Sequence, residues 1–426
     1  MKKRTLGLTL LTTSLLGLVA CSSDDTSADK EDKTVIEVFN IKTETASQMD
    51  DLVEDFEESH NDIEINMTTV GGGTDASAAL QAKFSSGDEP DIFMVGGLSD
   101  TQTWEHTLYD LSDTELADLA IEDTLEGASL DGKVLGLPMN IEGFGWLVNK
   151  EIFEEAGVPV DNIQSFEDFE NAVKTIDSQK EELGIDGVFA FSGGETWVSS
   201  QYSSNFFAPE FDDSLIEAYE ADELEFTYNE RMKEYTDLAD QYNVNPMESM
   251  DYSTSVEELF ASGKAAIVHQ GNWIVPTLNS LDDSFAKEKL DIVPMFVEDE
   301  NDGKIVAGPS WYWVVNSNNE SEQIDASIEF LNWMYTDEES MDAILNEFDF
   351  IPAYTNFSSD DIEDPLSNKI FEYLNNNSTV PWVHNSYPYG FGEQTIGVNL
   401  QAYTAEQITW DEFVNDTISI WNEERE

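Results

Sequence analysis

Apolar and polar residues alternate with two different periods in the part of the chain that follows the N-terminal segment. Runs of β-branched and aromatic residues predict strands at residues 35–39, 63–67 and 91–95. Apolar residues spaced three and four apart predict a helix at residues 46–59, and the glycines at residues 71–73 open a further helix that runs through residues 80–84. The order strand, helix, strand, helix, strand indicates an α/β fold whose parallel sheet is covered on both faces.

The same patterns continue towards the C-terminus. An Asp-Gly pair, Asp131 and Gly132, indicates a two-residue hairpin turn. Further strands are predicted at residues 146–148, 265–268, 291–296 and 314–315, and further helices at residues 165–178, 217–242, 254–262 and 327–336.

Extended segments interrupted by proline indicate that the chain passes three times between two lobes. These hinge candidates lie near Pro138, near Pro294 and at residues 350–353. A chain of 426 residues is also too long for one simple core. We therefore expect each lobe to be built from separate pieces, the first from residues 34–139 plus 297–347 and the second from residues 140–296 plus 348–426.

The segment 260–273 (FASGKAAIVHQGNW) joins three features in a row. A helix end meets Gly263, a short apolar strand follows, and a loop then presents Trp273. Ligands of open α/β sheets bind beyond the carboxyl ends of the strands. Trp273 is therefore the first candidate for a binding residue.

The N-terminal residues 1–20 have the form of a bacterial targeting segment. Three basic residues precede an apolar run that is too short to span a bilayer comfortably. The run ends in LVAC, which resembles the lipobox of bacterial lipoproteins and implies cleavage before Cys21 and lipidation of its thiol. The alternative is an ordinary secretory signal with a chance cysteine. Residues 21–33 are polar and acidic, which predicts a flexible tether.

The charge of the chain is strongly one-sided. It has 89 acidic and 19 basic residues, a net charge of −70, although its charged fraction of 25% is ordinary. Such a surface repels nucleic acid, and we exclude nucleic-acid binding on that ground. The acidity indicates either capture of cations or adaptation to a salty or alkaline exterior, where screening makes self-repulsion tolerable. The carboxylates are spread along the chain, which favours adaptation.

The usual signatures of catalysis and of cofactor binding do not stand out. There is no serine elbow, no His-Glu-x-x-His pair and no zinc-site spacing among four scattered histidines and one cysteine. Gly71, Gly73 and Ala76 match a dinucleotide-binding pattern, but they follow the second strand, and we interpret them as a tight turn. We expect no cofactor, no bound metal and no enzymatic activity. Two of the many carboxylates could still form a glycosidase pair, so that class stays open.

Tryptophans are concentrated in predicted loops. Trp197, Trp273, Trp311, Trp313 and Trp382 lie in segments flanked by glycine, proline or polar residues. A sugar ring has an apolar C–H face and a rim of hydroxyls, which suits flat aromatic rings with a few orienting carboxylates and amides. A single tryptophan more often packs in a core, but several in loops favour a carbohydrate-binding surface. Their number favours an oligosaccharide.

Several sequence blocks, taken in order, resemble one protein family. They are the strand and helix that start near Ile36, residues 87–93 (GDEPDIF), 132–138 (GKVLGLP), 149–157 (NKEIFEEAG), 263–273 (GKAAIVHQGNW) and 351–353 (IPA). They resemble the family-1 extracellular solute-binding proteins of bacterial ABC importers, the group that includes maltose-binding protein. The resemblance covers nearly the whole mature chain. It implies a two-lobed, periplasmic-binding-protein-like fold of type II, with a hinge between the lobes and the ligand between them.

The resemblance also implies which residues bind the ligand. Trp273 matches the family's stacking tryptophan, and Glu142 matches a glutamate that binds sugar hydroxyls. Trp197 and Trp311 fall in loops that line the cleft in relatives. The remaining candidates are Asn40 at the end of the first strand, Asp100 beyond the third strand, and Trp382 in an aromatic loop.

One pair of glycines departs from the family pattern. Gly96 and Gly97 follow the third strand, where relatives carry bulkier residues. The pair either leaves room for a longer sugar or widens a turn.

These features together predict the lipid-anchored receptor of a carbohydrate ABC importer. We expect a monomer held through Cys21 on the outer side of the cell membrane of a Gram-positive bacterium. It would close over a sugar and deliver it to the permease subunits. The alternatives are a receptor for another solute, such as a polyamine or a peptide, and a secreted glycosidase.

Overall fold

The structure is a computed structural model that describes residues 33–70, 76–121, 123–282, 284–298, 303–358, 362 and 364–425. The predicted targeting segment, the tether up to residue 32, the lipidation site Cys21 and the glycine turn at residues 71–73 lie outside the described residues. No helix in the described residues is long and apolar enough to cross a membrane.

The strands and helices follow the predicted α/β order. The strands are β1 (Thr34–Asn40), β2 (Ile63–Thr69), β3 (Ile92–Val95), β4 (Ser129–Leu130), β5 (Lys133–Val134), β6 (Leu137–Pro138), β7 (Ile141–Asn149), β8 (Gly187–Phe189), β9 (Ala265–Gly271), β10 (Leu290–Val293), β11 (Ile305–Pro309), β12 (Tyr312–Val315) and β13 (Thr379–Val380). The α-helices are α1 (Ala46–Ser59), α2 (Ala76–Ser86), α3 (Leu98–Trp104), α4 (Glu115–Leu119), α5 (Lys150–Glu155), α6 (Phe166–Ser178), α7 (Lys180–Leu183), α8 (Thr196–Phe207), α9 (Leu215–Glu220), α10 (Asn229–Gln241), α11 (Val275–Leu281), α12 (Ser321–Thr336), α13 (Glu338–Asn346), α14 (Pro365–Asn375), α15 (Val398–Thr404) and α16 (Trp410–Arg425).

Shorter helical turns connect these elements. The 3₁₀ turns are Thr43–Thr45, Glu105–Thr107, Glu126–Ala128, Val160–Asn162, Ala208–Phe211, Met247–Ser249, Asn272–Ile274 and Val383–Ser386. The described residues also include π-helical segments at Ser253–Phe260, Phe285–Lys289 and Gly392–Gly397.

The first lobe is built on a five-stranded sheet with the order β2-β1-β3-β12-β6. The parallel pairing predicted for the first three strands is confirmed, because β1 runs parallel to both β2 and β3. The strands β12 and β6 then join antiparallel, so the sheet as a whole is mixed. Both faces are covered by apolar clusters: Trp313 and Val315 of β12 point to one side, and Tyr312 and Val314 to the other.

The second lobe is built on a sheet with the order β13-β11-β7-β9-β8, in which β10 also pairs with β7. Its central strand β7 is buried along its whole length and runs antiparallel to β9, β10 and β11. Successive side chains of β7 alternate between two clusters, with Trp146 and Val148 in the larger one and Leu147 in the other. A strand buried on both faces is therefore the centre of this lobe.

In the residues that the structure describes, the chain passes between the two sheets at three places. The first passage joins β6 to β7, and the third lies at Ile351, whose carbonyl oxygen accepts a hydrogen bond of 2.7 Å from Ile141 N. The second passage lies at Ser310 and Trp311, between β11 and β12. The sequence instead indicated Pro294 and assigned residues 297–347 to the first lobe. Strand β11 belongs to the second sheet because it pairs with β7, and an apolar pattern alone does not reveal the sheet that a strand joins.

Local signals explain most of the element boundaries. Ser165 caps α6 by accepting a hydrogen bond from Asp168 N, as the Ser-x-x-Asp pattern predicts. Asp131 and Gly132 both have positive φ and connect β4 to β5, which confirms the predicted hairpin.

The long helix predicted at residues 217–242 is interrupted between α9 and α10. The carboxylate of Glu210 accepts hydrogen bonds from the backbone N–H groups of Glu225, Phe226 and Thr227, which holds this stretch as a loop. Phe226 has a φ of 55°, a conformation that cannot continue a helix. The interruption is therefore caused by a residue distant in sequence.

Candidate functional site

Trp273 follows β9 at the carboxyl end of the strand, as predicted. Its half-buried ring folds back over the strand end, where its Nε1 donates a hydrogen bond of 2.9 Å to Gln270 Oε1. A Cβ atom on Gly271 would lie 2.2 Å from Cζ3 of this ring and 2.6 Å from the carbonyl oxygen of Gly143. Glycine at position 271 is therefore required for the ring to lie where it does.

Two of the other predicted tryptophans surround Trp273. The ring centroid of Trp197 is 6.4 Å away at an interplanar angle of 60°, and that of Trp382 is 6.0 Å away at 58°. Phe144 of β7 and Tyr252 extend the group. Trp197 and Trp273 are half-buried and Trp382 is buried. We call Trp197, Trp273 and Trp382 the tryptophan cluster.

Glu142 lies at the start of β7, next to the tryptophan cluster, and is buried. The backbone carbonyl of Glu142 accepts a hydrogen bond from Trp382 Nε1 at 3.3 Å. Its carboxylate accepts from Lys42 Nζ at 2.6 Å, from Asn140 Nδ2 at 3.3 Å and from Ser310 Oγ at 2.5 Å. A carboxylate has roughly four acceptor positions. Three of them are already used within the chain, which leaves about one for a ligand hydroxyl.

Lys42 connects the first lobe to this carboxylate. It follows β1, its side chain is buried, and its Nζ also lies 3.5 Å from Glu44 Oε1. Burial alone would lower the pKa of Lys42, but the charges of Glu142 and Glu44 outweigh burial and raise it. Burial also raises the pKa of Glu44, against the opposing effect of Lys42. The three groups form a buried cluster with one cation and two carboxyls.

Asn40 serves the backbone of the first lobe. Its Oδ1 accepts a hydrogen bond of 3.0 Å from Lys42 N, and its Nδ2 donates to Thr69 Oγ1 at 3.2 Å. It is buried. Asn40 therefore holds the turn that places Lys42, and its contacts are within its own lobe.

Asp100 and Trp311 meet around Gly96 on the first-lobe side. Asp100 Oδ2 accepts a hydrogen bond of 2.9 Å from Gly96 N, and burial raises the pKa of this carboxyl. A Cβ on Gly96 would lie 3.2 Å from Asp100 Oδ2 and 3.4 Å from Cζ3 of Trp311. Trp311 directly follows Ser310, whose hydroxyl bonds to Glu142. This pair therefore adjoins the same passage between the sheets.

Gly96 and Gly97 are packed against neighbouring side chains. The space beside Gly96 is taken by Asp100 and Trp311, and a Cβ on Gly97 would lie 2.7 Å from Cβ of Asn385. Gly97 also has a φ of 126°, which favours glycine. The glycine pair lets a second-lobe loop approach the first lobe.

That loop makes further contacts between the lobes. Ser99 Oγ donates a hydrogen bond to the carbonyl oxygen of Tyr387, and Asn385 Nδ2 donates to the carbonyl oxygen of Ser310 at 3.3 Å. Gln81 Nε2 donates to the hydroxyl of Tyr389 at 3.1 Å. The lobes therefore touch beside the tryptophan cluster.

The sequence and the fold are similar to those of known proteins. A protein-family model described as "Bacterial extracellular solute-binding protein" matches residues 51–368, well over half of the chain. The chain belongs to this family. The solute-binding protein is 30% identical over 200 residues to the "Multiple sugar-binding protein" of Streptococcus mutans, covering 46% of this chain and 45% of the relative. It is 23% identical over 256 residues to the "Xylose/arabinose-binding protein XacG" of Haloferax volcanii, covering 57% and 54%.

Solved structures of similar fold cover more of the chain. The solute-binding protein spans about half the length of the two relatives above. In contrast, it aligns with nearly the whole of the solved structures. A "Chitin oligosaccharide binding protein" superposes with a TM-score of 0.76 at 20% identity, covering 92% of this chain and 99% of that one. "SBP RafE in complex with raffinose" superposes with a TM-score of 0.75 at 18% identity, covering 92% and 100%. At these identities the superpositions show the shared two-lobed fold.

Several residues that contact the predicted residues were not among the candidates. Asn140, Phe144 and Gln270 are neighbours of candidates in sequence or in the sheet. Four others lie farther from the candidates they contact: Lys42, Ser310, Asn385 and Tyr252. Lys42 had a usable signal: it is one of only 19 basic residues and stands two positions beyond the first strand. The other three are ordinary polar or aromatic loop residues, and only the fold brings them to the site.

The described part of the solute-binding protein contains no group of three or more His, Cys, Asp or Glu side chains arranged to hold a metal ion.

The histidine nearest the tryptophan cluster is His384, whose ring centroid lies 5.4 Å from that of Trp382. Burial lowers the pKa of His384 to about 3, and its Nδ1 is 2.8 Å from Ser204 Oγ. This imidazole is therefore uncharged near neutral pH.

Proposed function

We propose that this solute-binding protein is the extracytoplasmic receptor of an ABC importer and that it binds a sugar, preferably an oligosaccharide, between its lobes. The observation that carries the proposal is the meeting of Trp197, Trp273 and Trp382 beside Glu142 at the passage between the two sheets. Aromatic faces stack on the C–H faces of sugars, and neighbouring polar groups orient the hydroxyls.

Each of the predicted residues has a separate role in this proposal. Three half-buried rings provide faces for stacking: Trp197, Trp273 and Trp311. Trp382 is buried and packs against Trp273. Asp100 and the remaining acceptor position of Glu142 accept hydrogen bonds from hydroxyls. Asn40 acts indirectly because it holds the turn of Lys42.

The names of the relatives support a sugar as the solute. Those relatives are named for multiple sugars, for xylose and arabinose, and for chitin oligosaccharide, and one structure is a complex with raffinose. The chain would be held at the membrane by lipid on Cys21, and its closed form would deliver the sugar to the permease. Binding would occur without catalysis, so incubation with an oligosaccharide would release no reducing sugar.

Tryptophan fluorescence during a solute screen tests the proposal. The screen includes raffinose, stachyose, xylose, arabinose, maltotriose and chitotriose, with amino acids, a tripeptide and spermidine as the other classes. We expect a saturable change with at least one saccharide and none with the other classes. A response only to spermidine, amino acids or the peptide would refute the sugar claim while leaving a solute receptor.

A further inference from the structure

We call the tryptophan cluster, together with Lys42, Glu44, Asp100 and Glu142, the interlobe site. The buried charge of this site is mostly negative. Glu44, Glu142 and Asp100 supply three carboxyls around the passage between the sheets, and Lys42 is the cation among them. The side chains of Lys42 and Glu142 are almost fully buried, and that of Glu44 is largely buried. Water therefore screens this charge less than it screens charge at the surface.

The ammonium group of Lys42 is already paired. Lys42 Nζ lies 2.6 Å from Glu142 Oε1 and 3.5 Å from Glu44 Oε1. An anionic ligand could use this cation only by competing with carboxyls that are fixed beside it. A buried carboxyl that loses its partner is costly, so such an exchange is unfavourable.

Arginine is the usual partner of carboxylates and phosphates, and the described arginines have partners other than the carboxyls of this site. The chain contains three arginines, and Arg4 lies outside the described residues. Arg231 pairs with Glu234 on α10, and Arg425 donates hydrogen bonds to the carbonyl oxygens of Ala218 and Ser386. In the described part of the chain, no guanidinium is among the contacts of the tryptophan cluster or of the carboxyls.

Burial makes negative charge unfavourable on two of these carboxyls. Burial raises the pKa of both Glu44 and Asp100, so the site already disfavours the negative charge that it carries. A further anion would add like charge to a partly desolvated region. An uncharged hydroxyl, in contrast, donates a hydrogen bond to these acceptors.

We propose that the interlobe site admits uncharged saccharides and excludes saccharides that carry a carboxylate or a phosphate, with Glu44 and Asp100 as the specificity-determining residues. The inference rests on the proposed sugar-binding function and names the substrate class of that site. The inference concerns the charge of the ligand and not its shape. The test must therefore compare charged and uncharged ligands of the same shape.

Matched probes separate charge from shape. Raffinose and maltotriose are each compared with their derivatives oxidised at one C6 to the carboxylate and with the corresponding C6 amides, which have nearly the same shape and no charge. Calorimetric titration gives the dissociation constants at neutral pH and moderate salt. For the neutral sugar that binds, we expect the carboxylate to bind at least about tenfold more weakly than the amide.

Three variants localise the effect. Asp100→Asn and Glu44→Gln should each reduce the amide-to-carboxylate ratio to about threefold or less. Glu58→Gln removes the same unit of charge from the exposed face of α1 and should leave the ratio unchanged. Circular dichroism checks that each variant is folded. If a variant at a buried position does not fold, the amide-to-carboxylate ratio of the wild-type protein still tests whether the site excludes charged saccharides.

The outcomes distinguish this inference from the proposed function. A carboxylate that binds wild-type protein as tightly as its amide overturns the inference but leaves sugar binding intact. A ratio that persists in both folded site variants, or that falls equally in Glu58→Gln, overturns the assignment to Glu44 and Asp100. Absence of binding by every neutral saccharide defeats the proposed function, and the inference fails with it.

Discussion

The ammonium nitrogen of Lys42 lies 2.6 Å from a carboxylate oxygen of Glu142, and both side chains are buried. Lys42 follows the first strand of one lobe, whereas Glu142 begins the central strand of the other. Ser310 at the second passage donates a hydrogen bond to the same carboxylate. This ion pair therefore joins the two lobes next to the tryptophan cluster.

Lys42→Met should destabilise the protein strongly. The substitution leaves the carboxyls of Glu142 and Glu44 buried without their cation, which costs about 3–5 kcal/mol in unfolding free energy. Lys174→Met is the matched control, because Lys174 forms an exposed ion pair of 2.7 Å with Glu170 and should cost below about 1 kcal/mol. Urea denaturation measures both, and equal losses would show that the buried pair has no special role.

Trp273→Ala should weaken sugar binding without unfolding the chain. Loss of the stacking face removes about 1–3 kcal/mol of binding free energy. Trp333→Ala is the control, since Trp333 is also half-buried but packs against Phe56 in the first lobe. Calorimetric titration with the saccharide found in the screen gives both affinities. If the two variants lose affinity equally, Trp273 is not a binding residue.

Gly271→Ala should displace the ring of Trp273. The new methyl group would lie 2.2 Å from that ring, so the strand end or the ring must move, at a cost of about 1–3 kcal/mol. Gly145→Ala is the control on the neighbouring strand, because the nearest atoms there are 3.5 Å from the added carbon. Thermal unfolding and sugar titration compare the two, and a Gly271→Ala protein with unchanged affinity would refute the required close approach.

Added salt should stabilise the protein. The net charge of −70 makes the folded chain repel itself. Raising sodium chloride from about 0.1 M to about 1 M shortens the screening length from roughly 10 Å to roughly 3 Å. We expect the melting temperature to rise over this range. A melting temperature that stays constant or falls would mean that repulsion among the acidic residues does not lower the stability of the fold.

Asp349 should make stability depend on pH. Burial and the nearby Asp364, opposed by Lys287 and Asn279, raise the pKa of Asp349 from the ordinary 3.8 to about 6. The folded chain therefore holds this proton more tightly than the unfolded chain, and this group's contribution to stability falls as the pH rises from about 4 to about 6.

Asp349→Asn tests this pH effect. Asparagine tolerates the φ of 54° at this position and carries no charge. The variant should be more stable than wild type at pH 7.5, by about 1 kcal/mol for this half-buried group after screening, and equal to it near pH 4. A difference that is independent of pH would contradict the assignment to Asp349.

Much of the first lobe could be predicted from local pattern. Helix α1 begins and ends where the spacing of Met49, Leu52, Val53 and Phe56 indicates, because one apolar face meets one sheet. The hairpin at Asp131 and Gly132 follows from two positions of positive φ. These elements are determined by residues that are close in sequence.

The parts that the sequence did not reveal depend on distant partners. The passage at Ser310 was misplaced because β11 and β12 have similar apolar patterns but join different sheets. The break between α9 and α10 depends on Glu210, and the pair of Lys42 with Glu142 links residues 100 positions apart. The proposed roles of the seven candidate residues remain predictions. The structure brings Trp197, Trp273 and Trp382 together beside Glu142, and it brings Asp100 next to Trp311.

A crystal structure grown with the saccharide that gives the strongest fluorescence response tests the central claim most directly. We predict density for a sugar ring against Trp273 and Trp197, between the two sheets and within hydrogen-bonding distance of Asp100 or Glu142. A second-lobe cavity of about 300 Å³ lies elsewhere, beside Asn205, Met295 and Lys304. Sugar density in that cavity, or at any place away from the tryptophan cluster, would contradict the account.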